Sequence, residues 1–168
     1  MNVSLKYTTK DIWNFLEEVP DPEIPVISVV ELGVVRDVVI KDNESVTIVI
    51  TPTYTGCPAM KAFEDDIITT LKEKGINNVD IKVIYSPAWT TDWMTGEAKE
   101  KLQKYGIAPP VDGTSDKGVL FENGPKVVVC PRCKSENTTL KSQFGSTACK
   151  ALYQCKNCLE PFDYFKCI

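Results

Sequence analysis

Cys130-Pro131-Arg132-Cys133 and Cys155-Lys156-Asn157-Cys158 are two Cys-x-x-Cys pairs, with twenty-one residues between them. The reading of this stretch divides the chain. Two knuckles at this separation are the ligand spacing of a zinc ribbon, each supplying two thiolates to one tetrahedral metal. The last 43 residues hold six of the seven cysteines, which marks off a small module too short to bury much core. Metal binding is then expected to supply its folding energy. Iron in a rubredoxin-like site uses the same four thiolates, so zinc and iron both stay open for Cys130, Cys133, Cys155 and Cys158. Cys149 and Cys167 are left over. Either is read as a spare or structural thiol, a replacement ligand, or part of a second soft-metal site.

Outward from the ribbon, 168 residues allow one ordinary domain beside it. No apolar run approaches the ~18 residues of a membrane span. Met1-Asn2-Val3-Ser4-Leu5-Lys6 has no apolar segment of signal type. The expectation is a cytoplasmic protein without membrane partners, in which paired cysteines are metal ligands and not disulfides. With no histidine in the chain, Ser-His-Asp and Cys-His catalysis are excluded. Acid–base work would fall to carboxylates, Cys, Lys or Tyr.

Charge is divided unevenly. Residues 1–125 carry 12 basic and 20 acidic residues, and residues 126–168 carry 7 and 3. An acidic body with a mildly basic ribbon lacks the concentrated basic surface that phosphate backbones require, so no nucleic-acid partner is expected.

The body reads as a short series of elements. Thr8 caps a helix with Asp11 in its first turn, and Ile12, Phe15, Leu16 and Val19 form its apolar face. Asp21-Pro22-Glu23-Ile24-Pro25 ends it. Val29 to Ile40 and Ser45 to Thr53 are rich in β-branched residues around the turn Lys41-Asp42-Asn43-Glu44, a predicted hairpin. Thr53 to Gly56 is a loop, and Pro58 suits a first helical position, which puts Cys57 at the N-cap. Met60, Phe63, Ile67 and Leu71 would face inward, with Gly75 as the stop. Val79, Ile81, Val83 and Tyr85 alternate as a half-buried strand, and a last helix runs to Tyr105 with Ala98, Leu102 and Tyr105 inward. The fold class is α+β, an α-β-β-α-β-α sandwich over residues 1–107, a linker over 108–125 and a four-cysteine zinc ribbon over 126–168.

Cys57 stands apart from the other thiols. At a helix N-terminus a thiol is biased toward thiolate, the form that attacks or binds metal. Its alternative is a small buried hydrophobe at a strand-to-helix turn. Asp21 and Glu23 sit on a proline-stiffened turn, where they support a metal or serve only as a cap and a solvated carboxylate. Trp89, Trp93 and Met94 form an apolar cluster, read as core packing or as a docking patch.

Two sets of residues then become familiar. Asp21-Pro22-Glu23, Leu32-Gly33-Val34-Val35 and Thr53-x-x-x-Cys57-Pro58 resemble the signatures of the iron–sulfur assembly domain of SufT-like proteins, across residues 8–105. Pro52 to Met60, Trp89-Thr90-Thr91-Asp92-Trp93, Gly106 to Pro110, Phe144 to Cys155 and Glu160 to Lys166 resemble the PaaD-like proteins of phenylacetate degradation. The resemblance implies an accessory, non-catalytic role beside phenylacetyl-CoA epoxidase, a multicomponent oxygenase with a diiron subunit and an iron–sulfur flavin reductase. It makes Cys57 the family's reactive cysteine, with Asp21, Glu23 and Thr53 filling the other motif positions, and a transient iron or Fe–S cluster the cargo. One thiolate is too few for a stable cluster, so sharing with a client or across a homodimer is expected. The competing expectations are a redox subunit with an iron-loaded ribbon and a general Fe–S assembly protein.

Overall fold

The computed structural model describes residues 6–41, 45–111 and 127–166. The turn residues 42–44, most of the expected linker and Cys167 lie outside them. The chain forms two compact units, Met1–Trp89 and Thr90–Ile168.

The first unit begins with α1 (Thr9–Leu16). Thr8 Oγ1 accepts from the Asp11 N–H while the Asp11 carboxylate accepts from the Thr8 N–H, the expected reciprocal cap. Ile12 and Leu16 are buried. Strands β1 (Val35–Ile40) and β2 (Val46–Ile50) pair antiparallel, and β2 pairs parallel with β3 (Val79–Val83), in the order β1-β2-β3. A parallel pair needs a crossover, and α2 (Met60–Glu73) supplies it. Val46, Ile48 and Ile50 line one face of β2 at full burial, with Phe63, Ile67 and Leu71 of α2 also buried. Gly75 follows the helix with φ +90°, a conformation its missing Cβ makes unstrained.

Four local expectations are corrected. The first strand starts at Val35 and not Val29, because Ser28–Gly33 folds into a turn. There the Leu32 N–H donates to Ser28 O, and Glu31 Oε2 accepts from the Ser28 N–H. Helix α2 starts at Met60 with Ala59 as its N-cap, so neither Cys57 nor Pro58 holds the predicted cap or first-turn position. Tyr85 is 62% exposed, since β3 ends at Val83. Tyr105 is 53% exposed, three residues past the inward Leu102 but at the last residue of α3 (Gly96–Tyr105).

In the second unit, α3 runs straight into β4 (Ile107–Ala108), through Gly106 at φ +99°. Strands β5 (Thr138–Ser142), β6 (Lys150–Cys155) and β7 (Pro161–Phe165) complete a sheet of order β4-β7-β6-β5. The sequence pattern groups this helix with the first domain and begins the linker at residue 108. Pairing of Ile107 and Ala108 with Asp163 and Tyr164 instead places α3 and β4 in the unit of the ribbon. Val128, Tyr153, Phe162 and Tyr164 are buried with Cys130 and Cys155 in one small core. Among the described residues, no helix is long and apolar enough to cross a membrane.

Candidate functional site

The two knuckles are built by local hydrogen bonding. In the first, the Lys134 N–H donates to Cys130 O and the Cys130 N–H to Ser135 O. In the second, the Asn157 and Cys158 N–H groups both point at Cys155 Sγ, at 3.4 and 3.5 Å. Asn137 Nδ2 donates to Asn157 Oδ1, which ties the second knuckle to the segment that follows the first. The residue after each second cysteine, Lys134 and Leu159, takes a positive φ of nearly the same size, 62° and 63°.

This geometry brings the four sulfurs within 4.8 Å of one another. Cys130 Sγ lies 3.8 Å from Cys158 Sγ, and Cys133 Sγ lies 3.5 Å from Cys155 Sγ. A tetrahedral tetrathiolate with metal–sulfur bonds of about 2.3 Å has sulfur–sulfur edges of about 3.8 Å. The donor set therefore fits one tetrahedral metal. Cys130 and Cys155 are buried, while Cys133 and Cys158 are the more exposed pair. The Cys155 thiol is drawn down to about 6, first by the N–H of Cys158 and then by that of Asn157. Cys158 goes the other way, to about 12. The Glu160 N–H pulls it down, but desolvation and the sulfurs of Cys133, Cys155 and Cys130 outweigh that pull. Cys158 thus favours its protonated form beside Cys155, and a bound divalent cation would displace that proton and cross-link the knuckles.

The remaining candidates sit in the first unit. Thr53 is buried just after β2. Two consecutive turns follow. The Cys57 N–H donates to Tyr54 O at 3.2 Å, with Gly56 at φ +83°, and the Met60 N–H donates to Cys57 O at 3.3 Å. Cys57 is half-buried in these turns, three residues before α2. Asp21 is buried, and its Oδ1 accepts from the N–H groups of Glu23 (2.8 Å) and Ile24 (2.6 Å). Its own N–H donates to Ile27 O. Asp21 therefore fixes the Pro22–Pro25 loop, the capping role that sequence allowed it. Glu23 is exposed. Among the described residues, the four ribbon cysteines form the one group of three or more metal-ligating side chains; Cys57, Asp21 and Glu23 do not make another. Cys149 is buried beside Thr147, with Sγ 3.0 Å from Thr147 Oγ1, and is not part of the metal-ligating group.

Sequence reasoning passed over two features. Ser28 Oγ donates to Glu17 and accepts from the Glu31 N–H, a partly buried polar network that braces the loop before β1. Thr47 and Thr51 hold buried hydroxyls, Thr47 on the second face of β2 and Thr51 just past its end, with no partner among the described residues. Both would read in sequence only as ordinary polar residues, though Thr47 breaks the apolar run of a strand buried on both faces. Trp89 and Met94 are buried, and Trp89 Nε1 donates to Leu32 O, whereas Trp93 is only half-buried.

Comparison with known proteins finds two matched segments. The iron–sulfur cluster assembly protein family matches residues 9–83, and the PaaD zinc beta ribbon domain matches residues 114–166. The chain is 51% identical to a proposed 1,2-phenylacetyl-CoA epoxidase subunit from Escherichia coli (strain K12), across 94% of this chain and 92% of that protein. The chain belongs to the PaaD family. Part of the chain is also similar to more distant proteins. An Fe-S protein maturation auxiliary factor of Porphyromonas gingivalis is 35% identical over 61% of this chain and 97% of its own length. The crystal structure of a DUF59 domain from Bacillus anthracis aligns with 56% of this chain and 90% of that one, at 30% identity and a TM-score of 0.53. PaaD relatedness thus combines an Fe–S assembly domain with a four-cysteine metal ribbon in one chain, and the relatives support a role in Fe–S assembly or maturation.

Proposed function

We propose that this chain is a maturation factor for phenylacetyl-CoA epoxidase, delivering iron or an Fe–S cluster to its diiron oxygenase or iron–sulfur reductase subunit. The observation that carries the reading is the 51% identity to an epoxidase subunit over nearly the full length of both chains. Similarity of part of the chain to Fe-S protein maturation auxiliary factors supports the chemistry.

In this reading Cys57 is the transient ligand. It is the one cysteine of the first unit, half-buried on a turn that is held at both ends by backbone hydrogen bonds. Binding iron costs the thiol its proton, and the proton returns when client thiolates displace the sulfur. The transfer is ligand exchange and needs no change of oxidation state. Asp21 acts by holding its loop, Thr53 by anchoring the start of the Cys57 turn, and Glu23 as an exposed carboxylate that meets the cargo. A single protein thiolate leaves the cluster underligated, so a second copy of the chain or the client completes it. The ribbon holds zinc at Cys130, Cys133, Cys155 and Cys158 as structural cross-link.

The test is anaerobic reconstitution of apo-epoxidase with iron-loaded chain, reading epoxidase activity and client iron. Wild type should restore both, and Cys57→Ser should restore neither while keeping its ribbon metal. Equal reconstitution by Cys57→Ser would overturn the assignment. Efficient loading of unrelated Fe–S proteins, with no preference for the epoxidase, would replace it with general assembly.

A further inference from the structure

At the far end of β6 from the metal, Lys150 is buried to 7% exposure, although it is a lysine. Five strand residues at ~3.3 Å each put it about 17 Å from Cys155. Its ammonium has one partner, Ser146 Oγ at 3.4 Å, and no carboxylate within ion-pair distance among the described residues. A lysine this buried loses most of its hydration and is normally paired with an anion. The described residues supply none.

The loop over Lys150 is shaped and closed. The Gly145 N–H donates to Lys150 O at 2.7 Å and the Lys150 N–H to Thr147 O at 3.2 Å. A Cβ at Gly145 would come to 3.0 Å from Asp163 Oδ1 and 3.4 Å from Lys150 Cβ, so a larger residue here would have to push the Asp163 carboxylate aside. The N–H groups of Ser146, Thr147 and Ala148 have no acceptor among the described residues. Lys166 borders the same loop. Its N–H donates to Cys149 O, and its Nζ lies 4.5 Å from the centre of the exposed Phe144 ring. One short loop thus carries the Lys150 ammonium, the Ser146 and Thr147 hydroxyls and three backbone N–H groups, with Lys166 at its border and the Asp163 carboxylate beside Gly145.

We propose that the Gly145–Lys150 loop binds a phosphate group, with Lys150 as its principal charge and Ser146, Thr147 and the loop N–H groups as donors. A phosphate fits this set better than a carboxylate because it has three terminal oxygens to accept from so many donors. The site shares no residue with the ribbon metal or with the Cys57 turn. Its phosphate comes either from free inorganic phosphate or from a coenzyme A ester.

The experiment titrates inorganic phosphate, and separately coenzyme A, into the zinc-loaded full chain, followed by amide shifts in 15N-edited spectra. The expected result is saturable binding with shifts centred on residues 145–150. Lys150→Met should weaken it about tenfold or more, and Lys150→Gln, which keeps a hydrogen-bond donor without the charge, should weaken it similarly. Asp163→Asn should tighten it roughly two- to fivefold. Metal content and unchanged β-sheet shifts establish that each variant is folded. Coenzyme A binding more tightly than phosphate assigns the ester as the source, and equal affinities assign the free ion. No saturable binding by the wild type, or binding unchanged in both Lys150 variants, would overturn the proposal.

Discussion

Removing one metal ligand should unfold the ribbon and spare the first unit. Cys155→Ala is the most informative change, because Cys155 is fully buried and central to the cluster. Its sulfur lies 3.5 Å from Cys133 Sγ and accepts from two N–H groups. The substitution removes one of four thiolates and leaves both N–H groups without their acceptor. Structural tetrahedral sites contribute roughly 10–16 kcal/mol of apparent binding free energy at neutral pH. Whole domains are stable by only about 5–15 kcal/mol. The ribbon core is a handful of side chains, chiefly Val128, Tyr153, Phe162 and Tyr164, so loss of the metal exceeds any margin that core provides. Hydrogen exchange is the assay, with metal content measured in parallel. Amides of β5, β6 and β7 should lose protection in Cys155→Ala, and in wild type treated with a strong chelator. Amides of β1, β2 and β3 should keep theirs, since they belong to a separate unit with its own core. Protected β5–β7 amides in metal-free protein would refute the reasoning, by showing that the side-chain core suffices.

Three further outcomes follow from named contacts. Metal affinity should fall as pH falls. The Cys155 thiol, lowered to about 6, is already thiolate at neutral pH, while Cys158, raised to about 12, must release its proton to bind. Uptake therefore liberates protons, and retention drops most steeply below about pH 6, where Cys155 itself protonates; a chromophoric indicator follows release, and a flat profile down to about pH 4 would contradict this. Asp21→Ala should destabilise the first unit by about 1–3 kcal/mol in chemical denaturation, since the N–H groups of Glu23 and Ile24 lose a buried acceptor, whereas Glu23→Gln at the exposed neighbour should change little. Phe63→Ala should cost about 3–5 kcal/mol in the same measurement, because its side chain is fully buried on the inner face of α2.

The strongest periodic and metal-spacing signals are legible in the chain. The Thr8–Asp11 cap, the buried row Val46, Ile48 and Ile50, and the four ribbon cysteines occupy the positions their patterns require, as do Phe63, Ile67 and Leu71 of the predicted inward face, while Met60 at its start is only half-buried. Errors arise where one residue type serves two local structures. Pro58 is equally suited to a turn, and the two turns through Cys57 delay the helix to Met60. The β-branched run Val29-Val30 reads as strand, but the Ser28–Glu31 side-chain bonds capture it in a turn. Ile107-Ala108 is too short to show a strand period, so its pairing with β7, and with it the membership of α3, is a tertiary fact. Asp21 is legible as a metal ligand or as a cap, and only the folded chain shows its carboxylate capping its own loop. Lys150 is inconspicuous in sequence because burial of a single lysine leaves no trace there.

The central claim is that the chain holds two separate metal chemistries, a structural ribbon and a transfer thiol at Cys57. The most direct measurement is metal analysis with a visible spectrum of protein purified without oxygen, wild type beside Cys57→Ser. The account predicts one zinc per chain in both, with iron and a charge-transfer band in the wild type alone. Iron that survives Cys57→Ser and disappears with Cys130→Ser would contradict it, and would make the ribbon an electron-carrying iron site.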